Sequence, residues 1–330
     1  MKAVRITKPG GPEVLQIEEV PDPVPGPSDI RVKVHATALN RADLLQAQGN
    51  YPAPPDAPQD IPGLEYAGEV LAVGPKARRF KVGDRVMGLV GGGGFAEQLV
   101  THEREALSLP ANIDFAHAAA IPEAFITAFD ALVLQGGLRP SEHVLIHAAA
   151  SGVGTAALQL VKAYGAHPIA TGRSADKLAR CRTEFGLEHA LTVANPPAFA
   201  KEVRSLSGGA GVDLVLDLVG GAWLNETVAS LAPKGRLMLV GLLAGRSVES
   251  LDLNAVLSRR IRLTGTVLRS RPLEEKISVA REFERQVLPL FAQGRIKPVV
   301  DAFFPVTQVR QACERMAQNA TFGKVVLQWQ

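Results

Sequence analysis

The amino-acid sequence predicts an α/β protein of two domains, one β-rich and the other a doubly wound parallel sheet. The chain has 330 residues, more than one hydrophobic core usually supports, so two domains are expected. Residues 1–122 contain short strand-like runs separated by Pro- and Gly-rich turns. From residue 123 onward, helical segments alternate with short apolar strands, which is the pattern of a parallel sheet with helical crossovers.

Individual strands are predicted from β-branched and apolar runs that end at turn residues. In the β-rich domain the predicted strands are Val14–Val20, Asp29–Ala38, Gly68–Val73 and Asp84–Leu89. In the second domain they are Val144–His147, Pro168–Thr171, Asp213–Asp217 and Gly235–Val240, with Ile261–Leu268 as an edge strand. A helical segment over Leu273–Gln293 leads to strands over Ala302–Val306 and Lys324–Gln328. We expect these last strands to rejoin the β-rich domain, which then comprises residues 1–122 and 268–330 around a second domain of residues 123–267.

Composition argues against several classes of protein. A net charge of +3 gives no basis for binding nucleic acid or a membrane surface. No uninterrupted apolar run reaches about eighteen residues, so no membrane span is expected. The N-terminus lacks the apolar segment of a signal peptide. Cys181 and Cys313 are the only cysteines, which suits a reducing compartment and offers no disulfide framework. We therefore expect a cytoplasmic protein.

The most informative stretch runs from His143 to Ala157, where a short apolar run ends in a small-residue turn and a helix begins at once. Gly152, Gly154 and Ala157 have the G-x-G-x-x-G/A spacing in a strand–turn–helix context. We expect Gly152 to permit the tight turn and Gly154 to let a pyrophosphate approach the backbone. The phosphates would lie against unpaired N–H groups at a helix N-terminus. A plain tight turn is the alternative, but the context favours a Rossmann-type site for a nicotinamide dinucleotide.

The choice of nicotinamide depends on the end of the next strand. A site specific for NAD usually has Asp or Glu there, which binds the ribose 2′-hydroxyl. This chain instead has Gly172, Arg173 and Ser174, with Lys177 one turn into the following helix. Arginine can bind a 2′-phosphate through two hydrogen bonds. Arg173 and Lys177 are alternatively ordinary solvated charges, but the missing acid and the added cations both favour NADP(H).

Short motifs extend this interpretation over nearly the whole chain. They are Asn40-Arg-Ala-Asp43 with Gly49-Asn-Tyr51, Pro62-Gly-Leu-Glu65, Ala120-Ile-Pro-Glu123, Ala150-Ser-Gly-Val-Gly154, Leu268-Arg-Ser-Arg271 and Phe322-Gly-Lys-Val-Val-Leu327. Together and in this order, they resemble the zeta-crystallin-like quinone oxidoreductases of the medium-chain dehydrogenase/reductase superfamily. Within that group the resemblance is closest to the branch of the tumour-suppressor-induced quinone oxidoreductase.

The resemblance implies a fold, a reaction and an assembly. The fold is a GroES-like substrate domain of β-barrel type together with a Rossmann cofactor domain, with NADPH in the cleft. The reaction is hydride transfer from NADPH to a small-molecule quinone. The assembly is a homodimer that pairs edge strands of two cofactor domains, here around Ile261–Leu268, although the sequence does not distinguish a dimer from a tetramer.

The sequence also argues against the zinc alcohol dehydrogenases of the same superfamily. Those enzymes resemble this chain but have Cys where Asn40 stands and His where Leu64 stands, and no cysteine precedes Cys181. A catalytic zinc needs about three protein ligands, which these positions do not supply. Without a Lewis acid to stabilise an alkoxide, an acceptor that is already electrophilic is expected, and a quinone fits. The sequence therefore predicts no metal.

Two residues are predicted to be catalytic. Tyr51 stands where the family has an active-site tyrosine, and its phenol would hydrogen-bond or protonate the developing oxyanion of the quinone. A loop aromatic without a catalytic role is the alternative. Ser151 would orient the acceptor or the nicotinamide ring, or act as a helix N-cap, and both roles are compatible.

The resemblance also places residues around the acceptor. Asn40 is predicted to shape the pocket or to hydrogen-bond the nicotinamide ribose side, whereas Asp43 is interpreted as a local structural cap. Gly94 and Phe95, which follow a run of glycines, are predicted to line the acceptor pocket. Those glycines alternatively serve only a tight β connection. Arg269 and Arg271 are predicted to be at the edge of the cleft or to solvate a domain junction, without a catalytic role.

Further cofactor contacts come from the resemblance and the loop positions. Thr127 matches a threonine near the carboxamide, although it is alternatively an ordinary helical residue. Lys324 resembles a C-terminal cofactor contact, with a solvated strand terminus as the alternative. Gly241 would let the nicotinamide half approach the backbone closely. The complete set of predicted cofactor contacts is Asn40, Thr127, Ser151, Gly152, Val153, Gly154, Gly172, Arg173, Ser174, Lys177, Val219, Gly241, Leu242 and Lys324.

One position departs from the family. Members often have a tyrosine that packs on the adenosine end of the cofactor, and Val193 replaces it here. The substitution is expected to weaken NADPH binding without adding an acid that would select NAD. Arg173 would then carry more of the preference.

Two other functions are compatible with the same motifs. One is reduction of the carbon–carbon double bond of an enone or enoyl thioester, for which a long cationic channel would be diagnostic. The other is a cofactor-binding protein with a structural, crystallin-like role or an RNA-binding role. Retention of Tyr51 and of the glycine loop argues against a purely non-catalytic protein.

Overall fold

The computed structural model describes residues 1–329, which form two compact units. The first unit comprises Met1–Ile126 together with the chain from Leu268 onward, and the second is Thr127–Val267. The sequence prediction placed the first boundary after residue 122, whereas the structure divides the chain between Ile126 and Thr127.

The strands are short and follow the turn signals of the sequence. They are β1 Lys2–Ile6, β2 Leu15–Glu19, β3 Asp29–Ala38, β4 Glu65–Val73, β5 Arg85–Leu89, β6 Gln98–His102, β7 Leu107–Ser108, β8 His143–Ile146, β9 His167–Gly172, β10 His189–Thr192, β11 Val212–Asp217, β12 Leu231–Leu239, β13 Arg262–Gly265, β14 Val300–Pro305 and β15 Lys324–Gln328.

The helices are concentrated after residue 112. They are α1 Arg41–Ala47, α2 Phe115–Ala118, α3 Thr127–Phe129, α4 Gly152–Ala163, α5 Ala175–Phe185, α6 Ala200–Leu206, α7 Leu224–Ser230, α8 Leu253–Arg259, α9 Leu273–Gln286, α10 Leu288–Ala292 and α11 Val309–Ala317. Wider π-helical turns, Pro122–Ile126 and Asp130–Gln135, flank α3. The segment predicted as one helix over Leu273–Gln293 is divided at Val287, because Pro289 has no N–H and is tolerated only in the first turn of a new helix.

The first unit is built on an extended β-sheet whose strand order is β14-β15-β3-β4-β5-β7, with β6 also paired to β3. Ile30, Val32 and Val34 alternate into its core, as expected for a strand with one buried face. β15 pairs antiparallel with β3, and Val326 lies opposite Ala38. The C-terminal strands therefore rejoin the β-rich unit, as the sequence predicts.

The second unit has a six-stranded parallel sheet in the order β10-β9-β8-β11-β12-β13. The order reverses between β8 and β11, and ligands of such sheets bind at the carboxyl ends of the strands at this switch point. β13 is an edge strand with four exposed residues, shorter than the predicted Ile261–Leu268. The proposed homodimer requires such an edge, but the assembly stays a prediction.

One helical stretch among the described residues, Phe115–Gln135, is long and apolar enough to cross a membrane by length and composition. Within its apolar window, 78% is buried inside the protein. A core helix passes the same test, so this stretch is weak support for a membrane span.

Candidate functional site

The glycine-rich turn lies between β8 and α4, at the switch point of the parallel sheet. Ser151 is the N-cap of α4, and its Oγ accepts a hydrogen bond from the Gly154 N–H at 3.0 Å. The backbone N–H groups of Gly152 and Val153 have no acceptor within the described chain. The start of this 12-residue helix therefore offers free donors and a positive dipole end to a phosphate. Ser151 retains its own hydroxyl hydrogen for donation.

The structure shows what the two glycines do within the turn, while the approach of a pyrophosphate to Gly154 stays a prediction. The left-handed residue of the turn is Ala148, with φ of 50°, and Gly152 does not have a positive φ. At Gly154 a Cβ would lie 2.5 Å from the Ala148 carbonyl oxygen and 2.6 Å from that of Ala149. Gly154 is thus required by the chain's own turn, whatever approaches it from outside.

The end of β9 carries the group predicted to select the cofactor. Arg173 is exposed immediately after Gly172. Ser174 is the N-cap of α5, since its Oγ accepts from the Lys177 N–H at 3.3 Å. β9 neighbours β8 in the parallel sheet, so these residues and the glycine-rich turn lie at the same carboxyl edge. A 2′-phosphate would meet cations and a helix N-terminus there, with no acid at the strand end.

An acid that sequence reasoning missed ends β11 at this edge. Asp217 Oδ1 accepts hydrogen bonds from the N–H groups of Val219, at 2.7 Å, and Gly220, at 2.9 Å. Asp217 Oδ2 is buried and has no partner among the described residues. A buried carboxylate oxygen without a donor is costly, so this atom suits a ligand that brings a hydroxyl or N–H group. The signal in the sequence was an acid at the end of an apolar strand.

The remaining predicted cofactor contacts occupy varied surroundings. Val219 is buried, whereas Leu242 is exposed. At Gly241 a Cβ would lie 2.6 Å from the Leu218 carbonyl oxygen, so close packing within the protein already requires glycine. Thr127 is buried at the start of α3. Val193 packs into the core of the second unit, which fills the place that the sequence analysis gave to the family tyrosine.

In the first unit the Asn40–Asp43 motif caps α1. The carboxylate of Asp43 accepts from the Asn40 N–H at 2.7 Å and, through its other oxygen, from the Gly63 N–H at 3.0 Å. This geometry confirms Asp43 as a structural cap. Burial raises its pKa to about 6, against the lowering effect of the two hydrogen bonds.

Asn40, Glu65 and Lys324 form a buried ionic cluster next to this cap. The Lys324 ammonium lies 2.7 Å from Glu65 Oε1 and donates to the Leu39 carbonyl, at 2.8 Å, and to Asn40 Oδ1. The Asn40 amide donates to Glu65 Oε1 at 2.9 Å. Lys324 is 4% exposed, so it is not a solvated strand terminus. All three of its donors are used within the chain, and a cofactor contact would have to displace one of them.

This cluster decides how well a catalytic zinc fits. Asn40 and Leu64 are the residues that the sequence analysis compared with zinc ligands, and the carboxylate of Glu65, next to Leu64 in the chain, is held by Lys324. Among residues 1–329, no group of three or more His, Cys, Asp or Glu side chains could hold a metal ion. The Lys324 ammonium lies against both Asn40 Oδ1 and Glu65 Oε1, and this arrangement does not fit a divalent cation, because like charges repel at this range.

Tyr51 is held by Arg269, for which sequence analysis assigned no catalytic role. The guanidinium carbon of Arg269 lies 5.0 Å from the centre of the Tyr51 ring, and the guanidinium donates to the Tyr51 carbonyl at 3.2 Å. The same guanidinium donates to the Gln46 side chain, at 2.6 Å, and to the Gly91 carbonyl, at 2.7 Å. Two contacts therefore join Arg269 to Tyr51, and two more hold Arg269 itself in place. Burial raises the pKa of the Tyr51 phenol.

Glu123 completes this part of the first unit. Its backbone N–H donates to Glu65 Oε2 at 2.8 Å. Burial and the negative charge of Glu65 raise the pKa of the Glu123 carboxyl group to about 7. Glu123 lies in the Ala120–Glu123 motif, but nothing in its sequence neighbourhood indicated that four other charged side chains would act on it: Glu65, Asp43, Lys324 and Arg269.

The predicted pocket residues Gly94 and Phe95 do not line a pocket. Phe95 is 0% exposed and packs in the core with Val4 and Leu39. A Cβ at Gly94 would lie 2.8 Å from the Glu65 carbonyl oxygen, so this glycine serves close packing. That prediction is wrong. Gly91, three residues earlier, does line a cavity of the first unit, together with Glu123 and Arg269.

Comparison with known proteins places the chain among dehydrogenases. Residues 26–111 match the family model described as the alcohol dehydrogenase GroES-like domain. Residues 152–290 match the model described as zinc-binding dehydrogenase. The two models thus cover most of the β-rich unit's first segment and the parallel-sheet unit.

Individual relatives have different chemistries. Quinone oxidoreductase-like protein 2 of Bos taurus is 32% identical over 95% of this chain and 88% of its own length. The crystal structure of an NAD-dependent alcohol dehydrogenase is 33% identical, with a TM-score of 0.87 over 99% of both chains. The apo structure of the JamJ enoyl reductase is 25% identical, with a TM-score of 0.86 over 100% of this chain and 99% of its own.

Proposed function

Because the chain belongs to the medium-chain dehydrogenase/reductase superfamily, we propose that it is an NADPH-dependent reductase of hydrophobic quinones that uses no catalytic metal. When bound, the reduced nicotinamide supplies a hydride. The Asn40–Glu65–Lys324 cluster carries the proposal, since Asn40 stands where a zinc enzyme would need a ligand, and the neighbouring Glu65 carboxylate is already paired with Lys324. Without a Lewis acid, an electrophilic acceptor is favoured over an alcohol, and a quinone spreads added charge over its conjugated ring.

Reduction of a quinone requires one proton in addition to the hydride. We assign this proton to the Tyr51 phenol, which stays protonated at neutral pH because burial raises its pKa. Arg269 fixes the ring, so the phenol needs little reorganisation when it donates to the acceptor oxygen. Ser151 would act at the start of α4, where its free hydroxyl hydrogen can orient a bound carbonyl or carboxamide oxygen.

Tyr51→Phe is expected to reduce turnover of 1,2-naphthoquinone by about a hundredfold or more, because general acid catalysis of this kind contributes at least that factor. NADPH binding should be unchanged, since the phenol does not belong to the parallel-sheet unit. Turnover is measured as NADPH oxidation at the nicotinamide absorbance, and binding by titration of nicotinamide fluorescence.

Tyr164→Phe, at the end of α4, is the matched control and should retain full turnover. A Tyr51→Phe variant with wild-type turnover would remove the phenol from the mechanism. If the wild-type protein does not oxidise NADPH with quinones, the proposed acceptor is wrong.

Reduction of an enone or enoyl thioester is the second candidate. Its support is the similarity to the JamJ enoyl reductase, together with a phenol that could also serve as the proton donor to a carbon centre. A simple enone and crotonyl-CoA therefore belong in the same assay. Turnover confined to either of them would transfer the assignment to the double-bond reductases.

We also propose that NADPH is preferred over NADH, although one relative is described as NAD-dependent. Arg173→Ala should weaken NADPH binding about tenfold, since a charged hydrogen bond at an exposed site contributes about 1.5 kcal/mol. NADH binding should change less than about twofold, because NADH has no 2′-phosphate for the guanidinium to bind. Fluorescence titration with each cofactor measures both constants.

Arg180→Ala is the control for this comparison, since Arg180 lies on α5, the helix that follows Arg173, and pairs with Glu184. It should leave both dissociation constants unchanged. An equal loss of affinity for both cofactors in Arg173→Ala would contradict recognition of the 2′-phosphate.

A further inference from the structure

A cavity within the first unit is lined in part by Arg269, the residue that contacts the Tyr51 ring. Its volume is about 40 Å³, and its walls are mainly apolar except for Glu105, Glu123, Arg269 and Lys276. One water needs about 10–15 Å³ by this measure, so there is room for roughly three waters. Charged groups on opposite parts of a small apolar cavity are the usual surroundings of ordered internal water.

Glu123 is one of the two acids that line this cavity. Among residues 1–329, no side chain or backbone group hydrogen-bonds its carboxyl group, although its own N–H is bound by Glu65. Both Glu123 and Tyr51 interact electrostatically with Arg269 and with each other. An unpartnered carboxyl group that faces a cavity is free to exchange hydrogen bonds, and protons, with water inside it.

Glu105 and Lys276 also line the cavity. Their ion pair is 3.1 Å long, and the two side chains are only partly exposed. Burial raises the pKa of the Glu105 carboxyl group, while Lys276 lowers it. The pair therefore lines the cavity and, being partly exposed, also reaches solvent.

We propose that Glu123 and the water of this cavity form a proton relay that resupplies Tyr51 from solvent, with Glu105 and Lys276 at its entrance. The inference rests on the proposed reduction of a quinone. In each turnover the quinone gains a hydride and the phenolic proton, which gives the hydroquinone. The Tyr51 phenolate then takes a proton from the Glu123 carboxylic acid through water, and the Glu123 carboxylate takes one from solvent through the cavity.

The direction of transfer follows from the charges around Glu123. The negative charges of Glu65 and Asp43 and the burial of the site favour the protonated acid, whereas Lys324 and Arg269 oppose them. Together these effects raise the pKa of the Glu123 carboxyl group to about 7, while burial raises the pKa of the Tyr51 phenol above its ordinary value of 10.0. Transfer from Glu123 to the phenolate is therefore downhill. Because only protonated Glu123 can donate, steady-state turnover should fall as the pH rises above about 7.

The first experiment compares wild type with Glu123→Gln in single-turnover and steady-state assays. Single turnover should be nearly unchanged, since Tyr51 begins with its own proton. Steady-state turnover should fall at least about tenfold. This loss is smaller than the loss of about a hundredfold or more that is expected when a general acid itself is removed. The alkaline decrease near pH 7 should disappear, because glutamine does not titrate.

The second experiment follows the protonation of the Glu123 carboxyl group by infrared spectroscopy, with no quinone or other acceptor present. Infrared titration of the wild type in H₂O and D₂O should show a carboxylic acid band with a midpoint near pH 7 that is missing in Glu123→Gln. Ala280→Leu, which fills part of the cavity, should slow deuterium exchange of this band. Glu282→Gln, on α9 and hydrogen-bonded to Arg285 and Gln286, is the control and should change neither property.

Wild-type steady-state turnover and pH dependence in Glu123→Gln would overturn the relay, as would a band that does not exchange. A wild type that fails to reduce quinones would overturn the proposed function alone, because the infrared band and its exchange are measured without an acceptor.

Discussion

Lys324→Met is expected to lower the free energy of unfolding of the first unit by about 3–5 kcal/mol, the usual cost of removing one partner from a buried ion pair. Glu65 is 0% exposed and lies 2.7 Å from the Lys324 ammonium. Methionine keeps the length and apolar character of the stem but leaves the Glu65 carboxylate without its counter-ion. Asn40 also loses the donor that its Oδ1 accepts from.

Urea unfolding in a Trp223→Phe background measures this loss. The chain has two tryptophans, and Trp329, which packs against the first unit's core, is then the only reporter. Lys324→Met combined with Glu65→Gln should recover more than half of the loss, because a neutral amide can remain buried. Its oxygen can accept from the Glu123 N–H, and its nitrogen can donate to Asn40 Oδ1, which loses Lys324 and becomes available once the Asn40 amide turns.

Arg104→Met is the matched control, since its ion pair with Glu274 is well exposed in the same unit. Its cost should stay below about 1 kcal/mol. A loss of that size in Lys324→Met as well would mean that the buried pair contributes no more than a surface pair.

The fold was largely predictable because its signals are local. The strand predicted over Asp29–Ala38 has these bounds in the structure, since a ten-residue run with alternating burial ends at Asn40, a helix cap. Strand ends were less predictable where packing decides them. β12 begins at Leu231, before the predicted Gly235, because a bulge lets Leu231 pair with Val212. No pattern in the sequence marks that pairing.

The sequence predicted only those residues of the candidate site that belong to one local motif. Ser151 and Arg173 follow from a glycine loop and from the end of one strand. Arg269 and Glu123 were not assigned roles, because their partners are far away in the chain: Arg269 contacts Tyr51, and Glu123 binds Glu65.

Phe95 shows the opposite error. A residue that follows a glycine run was predicted to line a pocket, but packing turned its ring into the core instead. An apolar side chain near a functional loop is buried more favourably against other apolar side chains than against a pocket open to water.

The second large effect concerns His147, which ends the apolar run before the glycine-rich turn. It is fully buried, with Nδ1 at 2.7 Å from the Thr171 hydroxyl and Nε2 at 2.9 Å from that of Thr227. The Thr227 hydroxyl donates to the Trp223 carbonyl, so it can only accept from His147. This assigns the proton of the neutral ring to Nε2, with Nδ1 accepting from Thr171. Burial lowers the pKa of the ring to about 4.

The stability of the second unit should therefore depend on pH. The folded pKa of about 4 lies below the ordinary value of 6.5, so the unfolded chain binds the proton more tightly. The contribution of neutral His147 is complete above pH 6.5 and is lost as the pH falls toward 4. At pH 5 the loss relative to pH 8 should be about 2 kcal/mol.

Unfolding in a Trp329→Phe background isolates this effect, because Trp223 lies 5.2 Å from the His147 ring, centre to centre. His147→Asn should lower stability at pH 8, where it loses packing, yet remove most of the decrease between pH 8 and pH 5. His143→Asn should remove less of it, since His143 is only partly buried and its pKa is lowered by burial and by His167. An unchanged pH dependence in His147→Asn would mean that the ring takes up its proton in place, with Thr171 turning its hydroxyl hydrogen toward the Ile146 carbonyl 3.5 Å away. That hydrogen bond is long and therefore weak, so it compensates poorly for the one that Thr171 would lose to His147. We therefore expect acid to loosen first the turn that precedes α4.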